Sequence, residues 1–356
     1  MRISLFKSDI SFSVAPGQSL LDAALGASLN LPHSCKGGNC GSCRARLLQG
    51  EVYYPNGPPL GLSEAEVADG FVLLCQARAR SDLCIETREV TTPDQAHVKR
   101  LPARIERAVP LAHDVMGLYL KLPAAEDFRF QAGQYIDIML PGGRRRSFSI
   151  ASPPHDARVL ELHVRRVAGG EFSASLFEQD ARSALLTVEG PLGQFVYRPR
   201  AAPLLLVGGG TGLAPLLSIL RHVIENGIER DMALYWGVRS ERDLYAHAAL
   251  EEIAAGRPAG GRPAAARAAR LRYVPVLSEP SPAWRGSRGL VHEAVLQSIE
   301  ELERYDVYAA GPPAMIAEVR REFGRRGITA DRLFFDSFDY APDTLERHRT
   351  SAATKA

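Results

Sequence analysis

The spacing of apolar residues changes along the chain and divides it into three regions. Up to about residue 90, short alternating runs at residues 2–6 and 10–14 predict strands, and Ser19 begins a predicted helix. From residue 101 to about 200, alternating runs recur between glycines and prolines, a pattern typical of a closed antiparallel barrel. Beyond Pro203, apolar strands alternate with helices, which predicts a doubly wound α/β unit.

These patterns predict the domain organisation. We expect domains at residues 1–92, 98–200 and 203–340, followed by a flexible tail at residues 341–356. The polar, proline-containing stretch at residues 89–95 is predicted to link the first two domains. A length of 356 residues agrees with two or three domains. The expected fold class is multidomain: a small α+β unit, an antiparallel Greek-key β-barrel and a doubly wound α/β domain.

Composition and charge narrow the functional classes. Hydrophobic residues make up 46% and charged residues 24%, which is ordinary for a soluble globular protein. The net charge of +2 implies no general affinity for nucleic acid. Apolar runs never reach about 18 residues, and residues 1–9 lack the apolar core of a signal peptide. We therefore expect a cytoplasmic protein that binds neither nucleic acid nor a membrane.

Four cysteines in the first region indicate an iron–sulfur site. Cys35, Cys40 and Cys43 follow the spacing C-x4-C-x2-C, and Cys75 stands after a long gap. Four thiolates complete the ligand set of a [2Fe–2S] cluster, and this is the plant-type spacing. Glycines 37, 38 and 41 allow a short loop to fold tightly around a metal centre. Its backbone N–H groups can then point at the sulfurs and tune the potential.

Structural zinc and a disulfide framework are the alternatives. Zinc usually binds paired C-x2-C units, and only one such unit occurs here, whereas disulfides need an oxidising compartment. The three-cysteine loop resembles that of plant-type ferredoxins. This resemblance implies a β-grasp fold in which Cys35, Cys40, Cys43 and Cys75 hold the cluster. As the exit point for electrons, the loop would dock a partner on its exposed rim, which we expect around Gly38, Asn39 and Ser42.

The barrel region contains a candidate flavin site. Arg146-Ser147-Phe148-Ser149 follows a turn and leads into a strand, and Gly169-Gly170-Glu171-Phe172-Ser173 begins a predicted helix some 20 residues later. A cationic side chain and a helix N-terminus both bind anions, and an aromatic ring can stack on a flat cofactor. Three consecutive arginines alone could equally form a solvated patch.

Together, the two barrel motifs resemble the ferredoxin-NADP reductase-like superfamily. This resemblance implies that Arg146 holds the FAD pyrophosphate, that Phe148 packs on the flavin ring and that the Ser149 hydroxyl lies beside flavin N5. Phe338, in the closing segment at residues 335–338, would pack near the flavin until the nicotinamide displaces it, with ordinary core packing as the alternative. The further FAD-binding residues implied by the resemblance are Ser147, His163, Val164, Gly170, Phe172 and Ser173.

A glycine-rich turn in the third region indicates a nucleotide site. The sequence from Gly208 to Pro215 joins a predicted buried strand to a helix, so its backbone and the helix N-terminus can approach a phosphate. It matches neither G-x-G-x-x-G nor a Walker loop. It does resemble the pyridine-nucleotide motif of the same superfamily, although Ala310 stands where many relatives carry cysteine. The nucleotide-binding residues implied are Gly208, Gly209, Gly210, Thr211, Gly212, Gly237, Arg239, Gly311, Pro312 and Phe338.

The order of these motifs resembles N-terminally ferredoxin-fused NAD(P)H:FAD reductases, of the oxygenase-component or CDP-6-deoxy-Δ3,4-glucoseen reductase type. The resemblance implies that NADH reduces FAD, that FAD reduces the cluster and that the cluster reduces a partner oxygenase or sugar dehydrase. Arg239, Ser240 and Arg242 could bind the 2′-phosphate of NADPH, but the resemblance to oxygenase-type reductases favours NADH and Asp243 adds an opposing charge. The alternatives are reduction of a small acceptor, such as a ferric chelate or free flavin, and a redox-sensing regulator. A ferredoxin domain disfavours the first, and the lack of an unassigned DNA-binding or signalling segment disfavours the second.

Overall fold

A computed structural model describes residues 1–33, 36–38, 41–59, 61–62, 64–87, 98–167, 170–178, 184–256, 270–329 and 331–338. Cys35, Cys40, Asn39, the predicted linker and the predicted tail lie outside the described residues. Three principal sheets follow one another along the chain, and each lies within one of the three predicted domains. The domain boundaries themselves stay a prediction.

The first sheet has a helix packed across it in a β-grasp arrangement. Its strand order is β2-β1-β7-β3-β5, with β1 parallel to β7. Ser19 caps α1 by accepting a hydrogen bond from the Asp22 N–H, as its position before an apolar run predicts. Apolar residues from α1 and the strands, such as Leu21 and Ile85, are fully buried between the layers. The elements are β1 (Arg2–Leu5), β2 (Ser11–Ser13), α1 (Leu20–Gly26), β3 (Arg44–Gln49), β4 (Val52–Tyr53), α2 (Glu64–Ala68), β5 (Phe71–Leu73), β6 (Arg78–Ala79) and β7 (Leu83–Glu86).

The second sheet closes into the predicted barrel. Its strand order is β11-β10-β13-β8-β9-β12, and a bridge between Ile150 and Leu162 joins the two outer strands. The Ala151 N–H donates to the Glu161 carbonyl at 2.7 Å beside that bridge. The elements are β8 (Lys99–Ala112), β9 (Val115–Lys121), β10 (Tyr135–Met139), β11 (Arg145–Ser149), β12 (Val159–Arg165), α3 (Glu171–Glu178) and β13 (Leu185–Leu192), with 3₁₀ turns at Pro141–Gly143 and Pro154–Asp156.

The third sheet is parallel throughout and has the order β17-β16-β15-β14-β18-β19. Leu206 and Trp236 belong to the apolar core on one face, and Val207 and Tyr235 belong to the core on the other. The chain crosses over on both sides of β14, which places a ligand-binding crevice at the carboxyl end of that strand. The elements are β14 (Leu204–Gly209), α4 (Leu213–Glu225), β15 (Met232–Val238), α5 (His247–Ala254), β16 (Leu271–Leu277), β17 (Ser287–Arg288), α6 (Val291–Ser298), β18 (Asp306–Gly311), α7 (Pro313–Arg325) and β19 (Leu333–Ser337), with 3₁₀ turns at Gly210–Gly212, Glu241–Asp243 and Leu302–Arg304.

The barrel and the parallel sheet are joined by buried hydrogen bonds. Ser218 on α4 donates its hydroxyl to the Ser152 carbonyl at 2.8 Å, and Arg221 donates to the Ala151 carbonyl at 3.2 Å. Both contacts hold α4 against the segment that follows β11, so the two predicted cofactor regions share one packed boundary. Within the part of the chain that the structure describes, no helix is both long enough and apolar enough to cross a membrane.

Candidate functional site

Cys43 and Cys75 lie together beneath the cysteine loop. Their sulfurs are 3.2 Å apart, too far for a disulfide bond of about 2.05 Å. The Cys75 N–H points at the Cys43 sulfur at 3.5 Å, which is the kind of backbone contact that tunes a cluster. Burial raises the pKa of Tyr54, and the two nearby sulfurs raise it further. Two converging buried thiols therefore fit half of the predicted ligand set.

The described part of the cysteine loop has the backbone that its glycines predict. Gly38 and Gly41 adopt φ values of 86° and 74°, which other residues rarely reach. A side chain at Gly38 would also meet Gln76 at 2.6 Å. Gly38 is buried, however, and Ser42 is only half-buried beside Arg320 of α7. The prediction of an open docking rim is therefore wrong at Gly38, because neighbouring segments cover it.

A cavity of about 1170 Å³ lies between the barrel and the parallel sheet. Its volume lies just above the ~300–1,000 Å³ of an ordinary small-molecule site, as a large cofactor requires. Residues of all three domains form its wall, including Gly37, Ser149 and Gly210. Fifteen predicted cofactor-binding residues line it: Arg146, Ser147, Phe148, Ser149, His163, Gly170, Phe172, Ser173, Gly209, Gly210, Thr211, Gly237, Arg239, Pro312 and Phe338.

Strand β11 presents the predicted flavin residues to this cavity. Its pairing with β10 sets Phe148 opposite Ile136 and Ser149 opposite Tyr135. Because side chains alternate along a strand, Ser147 and Ser149 lie on one face of β11 and Phe148 on the other. The Phe148 ring packs at 5.6 Å from the Phe172 ring, with a tilt of 45°. The strand therefore carries an aromatic surface beside polar groups, as a flavin requires.

The Ser149 hydroxyl is tied to the last strand of the parallel sheet. It donates to a carboxylate oxygen of Asp336 on β19 at 3.3 Å, and both residues are buried. Phe338 follows on the same segment, where its N–H donates to the Gly311 carbonyl at 2.9 Å. The ring is half-buried in the cavity wall rather than in a described apolar core. The two residues predicted to be catalytic are thus brought to one cavity.

His163 lies in a buried hydrogen-bond chain. Its Nδ1 lies 3.0 Å from the Tyr245 hydroxyl and its Nε2 lies 3.0 Å from a Glu161 carboxylate oxygen. Arg221 also donates to Glu161, at 2.6 Å. Burial by itself would raise the pKa of Glu161, but the bonds from His163 and Arg221 together lower it to about 2. The side chain of His163 therefore joins the barrel to the parallel sheet through Tyr245.

The turn before α3 requires a glycine at position 170. A Cβ there would lie 2.8 Å from the Ser173 hydroxyl and 3.1 Å from the Val167 carbonyl. The Ser173 hydroxyl accepts from the Val167 N–H and donates to the Gly170 carbonyl, each at 3.1 Å. Ser173 therefore shapes the turn, which leaves the backbone N–H groups at the start of α3 to contact an anion.

The glycine-rich turn after β14 has the close backbone packing of a phosphate cradle. The Trp236 indole donates to the Gly210 carbonyl at 2.9 Å, and the Arg165 guanidinium lies beside Gly210. A Cβ on Gly209 would meet the Met315 sulfur at 2.6 Å. The turn thus presents backbone atoms without side chains to the cavity, next to the positive charge of Arg165.

Four predicted cofactor residues lie behind the cavity wall. Gly208 packs against Leu216, and a Cβ on Gly212 would come within 2.0 Å of the Ala310 carbonyl. These two glycines, like Gly311, allow segments of the parallel sheet to approach closely. The fourth is Val164, which is fully buried in the barrel core. The described residues of the cavity wall therefore omit Val164, Gly208, Gly212 and Gly311.

Several wall residues have no motif that marks them in the sequence. Lys36 forms an ion pair with Asp137 at 3.0 Å, which joins the cysteine loop to the barrel. Behind the wall, His33 packs edge-on against the wall residue Tyr135, and burial together with Lys36 lowers the pKa of His33 to about 4. Asp336 and Ser337 also line the cavity, and the sequence could have indicated both, because they lie inside the closing segment at residues 335–338.

The wall residues fit an FAD and a pyridine nucleotide. Arginine side chains offer charge to two diphosphates, Phe148 and Phe172 offer a ring surface, and Gly170 and Gly209 leave room for close backbone approach. When bound, FAD converts the two-electron chemistry of a nicotinamide into single-electron transfers. The buried thiols fit a [2Fe–2S] cluster, with Cys35 and Cys40 as the further predicted ligands.

Comparison with protein families gives three matches along the chain. Residues 4–80 match the 2Fe-2S iron-sulfur cluster binding domain, residues 102–197 match the oxidoreductase FAD-binding domain and residues 206–321 match the oxidoreductase NAD-binding domain. The predicted cofactors are confirmed by these matches, and so is the prediction that the chain is an oxidoreductase.

Individual relatives are similar over almost the whole chain. The CDP-6-deoxy-L-threo-D-glycero-4-hexulose-3-dehydrase reductase of Yersinia pestis is 35% identical over 340 residues, which cover 95% of this chain and 98% of that protein. A terephthalate 1,2-dioxygenase reductase component of a Comamonas species is 36% identical over 346 residues, with coverage of 96% and 98%. The crystal structure of an Amycolatopsis cytochrome P450 reductase, GcoB, superposes with a TM-score of 0.75 at 35% identity and coverage of 95% and 98%.

Proposed function

Because this chain belongs to the family of ferredoxin-fused flavoprotein reductases that includes those relatives, we propose that it carries electrons from NADH to a partner oxygenase or sugar dehydrase. The reaction is NADH + 2 acceptor(oxidised) → NAD⁺ + H⁺ + 2 acceptor(reduced), so each NADH reduces two one-electron acceptors. A cytoplasmic location belongs to this proposal, because free thiols persist there for cluster binding.

The continuous cavity is the observation that carries this proposal. It runs from the glycine-rich turn at Gly210, past Ser149, to Gly37 of the cysteine loop. A hydride donor bound at the turn, a flavin bound along β11 and a cluster in the loop would therefore be neighbours. A protein that reduced only a diffusible acceptor would need no ferredoxin domain at the end of this cavity.

The roles of individual residues follow from their positions. We assign binding of the FAD pyrophosphate to Arg146 and the start of α3. Phe148 would pack on the flavin ring, and the Ser149 hydroxyl would orient the reacting edge of that ring. Thr211 and the backbone at Gly209 and Gly210 hold the nucleotide phosphates. Phe338, which lines the same cavity, would cover a bound flavin ring until the nicotinamide takes its place.

NADH is the proposed coenzyme. Asp243 accepts from both the N–H and the hydroxyl of Ser240, at 2.9 Å in each case. The Ser240 hydroxyl is thereby occupied, and the carboxylate places a negative charge where a 2′-phosphate would lie. Arg239 and Arg242 also line this part of the cavity. The coenzyme preference therefore depends on the balance between these two positive charges and the negative charge of Asp243.

Two electron acceptors can test the proposed route. We expect wild-type protein to reduce ferricyanide and cytochrome c with NADH, and Cys75→Ser to retain ferricyanide reduction while it loses cytochrome c reduction. Cys84→Ser is the matched control, because Cys84 lies half-buried on β7 and is not a predicted ligand. If Cys75→Ser reduced cytochrome c as fast as the wild type, electrons would leave from the flavin and the small-acceptor alternative would stand.

A further inference from the structure

Lys36 connects the cysteine loop to the flavin-binding barrel. Its ammonium group lies 3.0 Å from a carboxylate oxygen of Asp137 on β10. The side chain of Lys36 is 23% exposed and that of Asp137 is 1% exposed, so the pair is largely removed from water. Lys36 is also the neighbour of Cys35 in the sequence. This contact therefore joins the residue that follows a predicted cluster ligand to the barrel.

The backbone of Lys36 adopts a conformation that favours glycine. Its φ is 52°, in the left-handed region that residues with a side chain rarely enter. Glycine occupies the next two positions of the same loop. Position 36 therefore combines a glycine-like backbone with a side chain that reaches Asp137.

On the barrel side, Asp137 is linked to the flavin strand. Its second carboxylate oxygen accepts from the Ser147 hydroxyl at 2.6 Å, and Ser147 lies two residues before Ser149 on β11. Arg145 approaches the same carboxylate at 3.7 Å. The carboxylate therefore contacts the cysteine loop through one oxygen and the proposed flavin strand through the other.

On the cluster side, Lys36 is linked to the other half of the ligand set. The Gln76 amide donates to the Lys36 carbonyl at 2.9 Å, and Gln76 directly follows Cys75. Lys36 thus lies beside Cys35 in sequence and is bonded to the residue beside Cys75. Movement of Lys36 relative to the barrel would shift both parts of the predicted cluster site.

We propose that Lys36, through Asp137, is a positioning residue that sets the distance from the flavin to the cluster. This inference rests on the proposed route of electrons. The step it governs moves one of the two electrons supplied by NADH, so that the flavin is oxidised and the cluster reduced by one electron each time. Electron tunnelling slows exponentially with distance, so displacement of the cluster away from the flavin by a few ångströms would slow this step steeply.

Stopped-flow absorbance with NADH tests this inference on the intact, cofactor-loaded chain. In Lys36→Met, we expect cluster reduction to slow by about 10- to 100-fold relative to the wild type. Lys36→Arg keeps the charge and can reach the carboxylate, so it should restore the rate to within about three-fold of the wild type. Lys7→Met is the matched control, because Lys7 is an exposed lysine with a φ of 55° that packs on Phe6. Lys7→Met should behave as the wild type.

Hydrogen exchange gives a second readout that does not depend on turnover. We expect Lys36→Met to increase deuterium uptake in peptides that cover residues 30–33 and 135–139, the two sides of this contact. Faster exchange together with slower cluster reduction supports the proposal. Faster exchange with an unchanged rate of cluster reduction would overturn it, because Lys36 would then only hold the domains together. No change in either measurement would also overturn it.

The wild-type trace separates this inference from the proposed function. If NADH fails to reduce the cluster of the wild-type protein, the proposed route is wrong. If NADH reduces the clusters of the wild type and of Lys36→Met equally fast, the route stands and only the role of Lys36 is wrong.

Discussion

At the scale of single residues, the pairing of Ser149 with Asp336 is the most informative contact. A serine hydroxyl rotates freely unless a partner fixes it, and here a buried carboxylate accepts a hydrogen bond from it at 3.3 Å. The oxygen lone pairs of Ser149 then point away from Asp336. The hydroxyl is held in one orientation before any cofactor contact is made, which lowers the cost of reorganisation during hydride transfer.

Removal of this hydroxyl should slow the first step of the reaction. We expect Ser149→Ala to lower NADH-dependent ferricyanide reduction by about 100-fold, the typical effect of losing one preorganised polar group. Ser175→Ala is the control, because the Ser175 hydroxyl donates within α3 to the Phe172 carbonyl. Equal rates for Ser149→Ala and the wild type would show that the hydroxyl plays no part.

Glu161 should make the protein sensitive to acid. Its folded-state pKa of about 2 lies below the ordinary value of 4.5, so its contribution to stability is full above pH 4.5 and is lost as the pH falls towards 2. This contribution is roughly 3 kcal/mol at most. We expect the melting temperature of the wild type to exceed that of Glu161→Gln at pH 6, and this difference to shrink between pH 5 and pH 3. A constant difference across that range would contradict the assignment.

At the scale of elements, the turn from β14 to α4 shows two separate reasons for glycine. Gly210 has a φ of 55°, which other residues rarely adopt. Gly212 has helical dihedral angles, with φ of −58°, and its constraint is the space beside the Ala310 carbonyl. The same motif therefore contains one glycine for conformation at the cavity wall and another for packing behind it.

This division predicts what Gly212→Ala does. We expect a loss of about 3 kcal/mol or more in the stability of the nucleotide domain, because the added methyl group overlaps a backbone atom. Gly324→Ala is a matched control in α7, where the new methyl group meets nothing within 4 Å. That change should stabilise the protein by ~0.4–1 kcal/mol. A Gly212→Ala protein with normal thermal stability and weakened NADH binding would instead place Gly212 in the phosphate site.

The fold and much of the site could be predicted from the sequence because their signals are local. The cysteine spacing, the Arg146–Ser149 run and the glycine-rich turn each fall within a few consecutive residues. Contacts between distant segments leave no such pattern. Lys36 with Asp137 and His163 with Tyr245 arise only when separate sheets pack, so the sequence did not indicate them. The sequence also could not show that Gly210 lies at the cavity wall whereas Gly212 packs behind it.

At the scale of the whole molecule, the three domains are joined unequally. The barrel and the parallel sheet share buried contacts, such as Ser218 with Ser152, and form one continuous boundary. The described contacts of the ferredoxin domain with the barrel include the Lys36–Asp137 pair and the bond from the Gln194 amide to the Asn30 carbonyl at 3.1 Å. We therefore expect two cooperative units rather than three.

Calorimetry can test this division. Leu21 on α1 and Leu220 on α4 are both fully buried, against the first and third sheets respectively. Leu21→Ala should lower the unfolding free energy of the ferredoxin unit alone. Leu220→Ala should lower that of the unit formed by the barrel and the nucleotide domain. Each loss should be ~2–5 kcal/mol. A single transition that shifts equally in both variants would show that the chain unfolds as one unit.

The bond between Ser149 and Asp336 also has a consequence for biosynthesis. The two residues are 187 positions apart, and Asp336 lies on the last described strand. Domains that emerge first from the ribosome generally fold first, so the cysteine domain can fold while the flavin pocket still lacks one wall. Flavin capture therefore waits for β19 to dock, and ribosomes stalled before residue 333 should carry a folded ferredoxin domain without stably bound flavin.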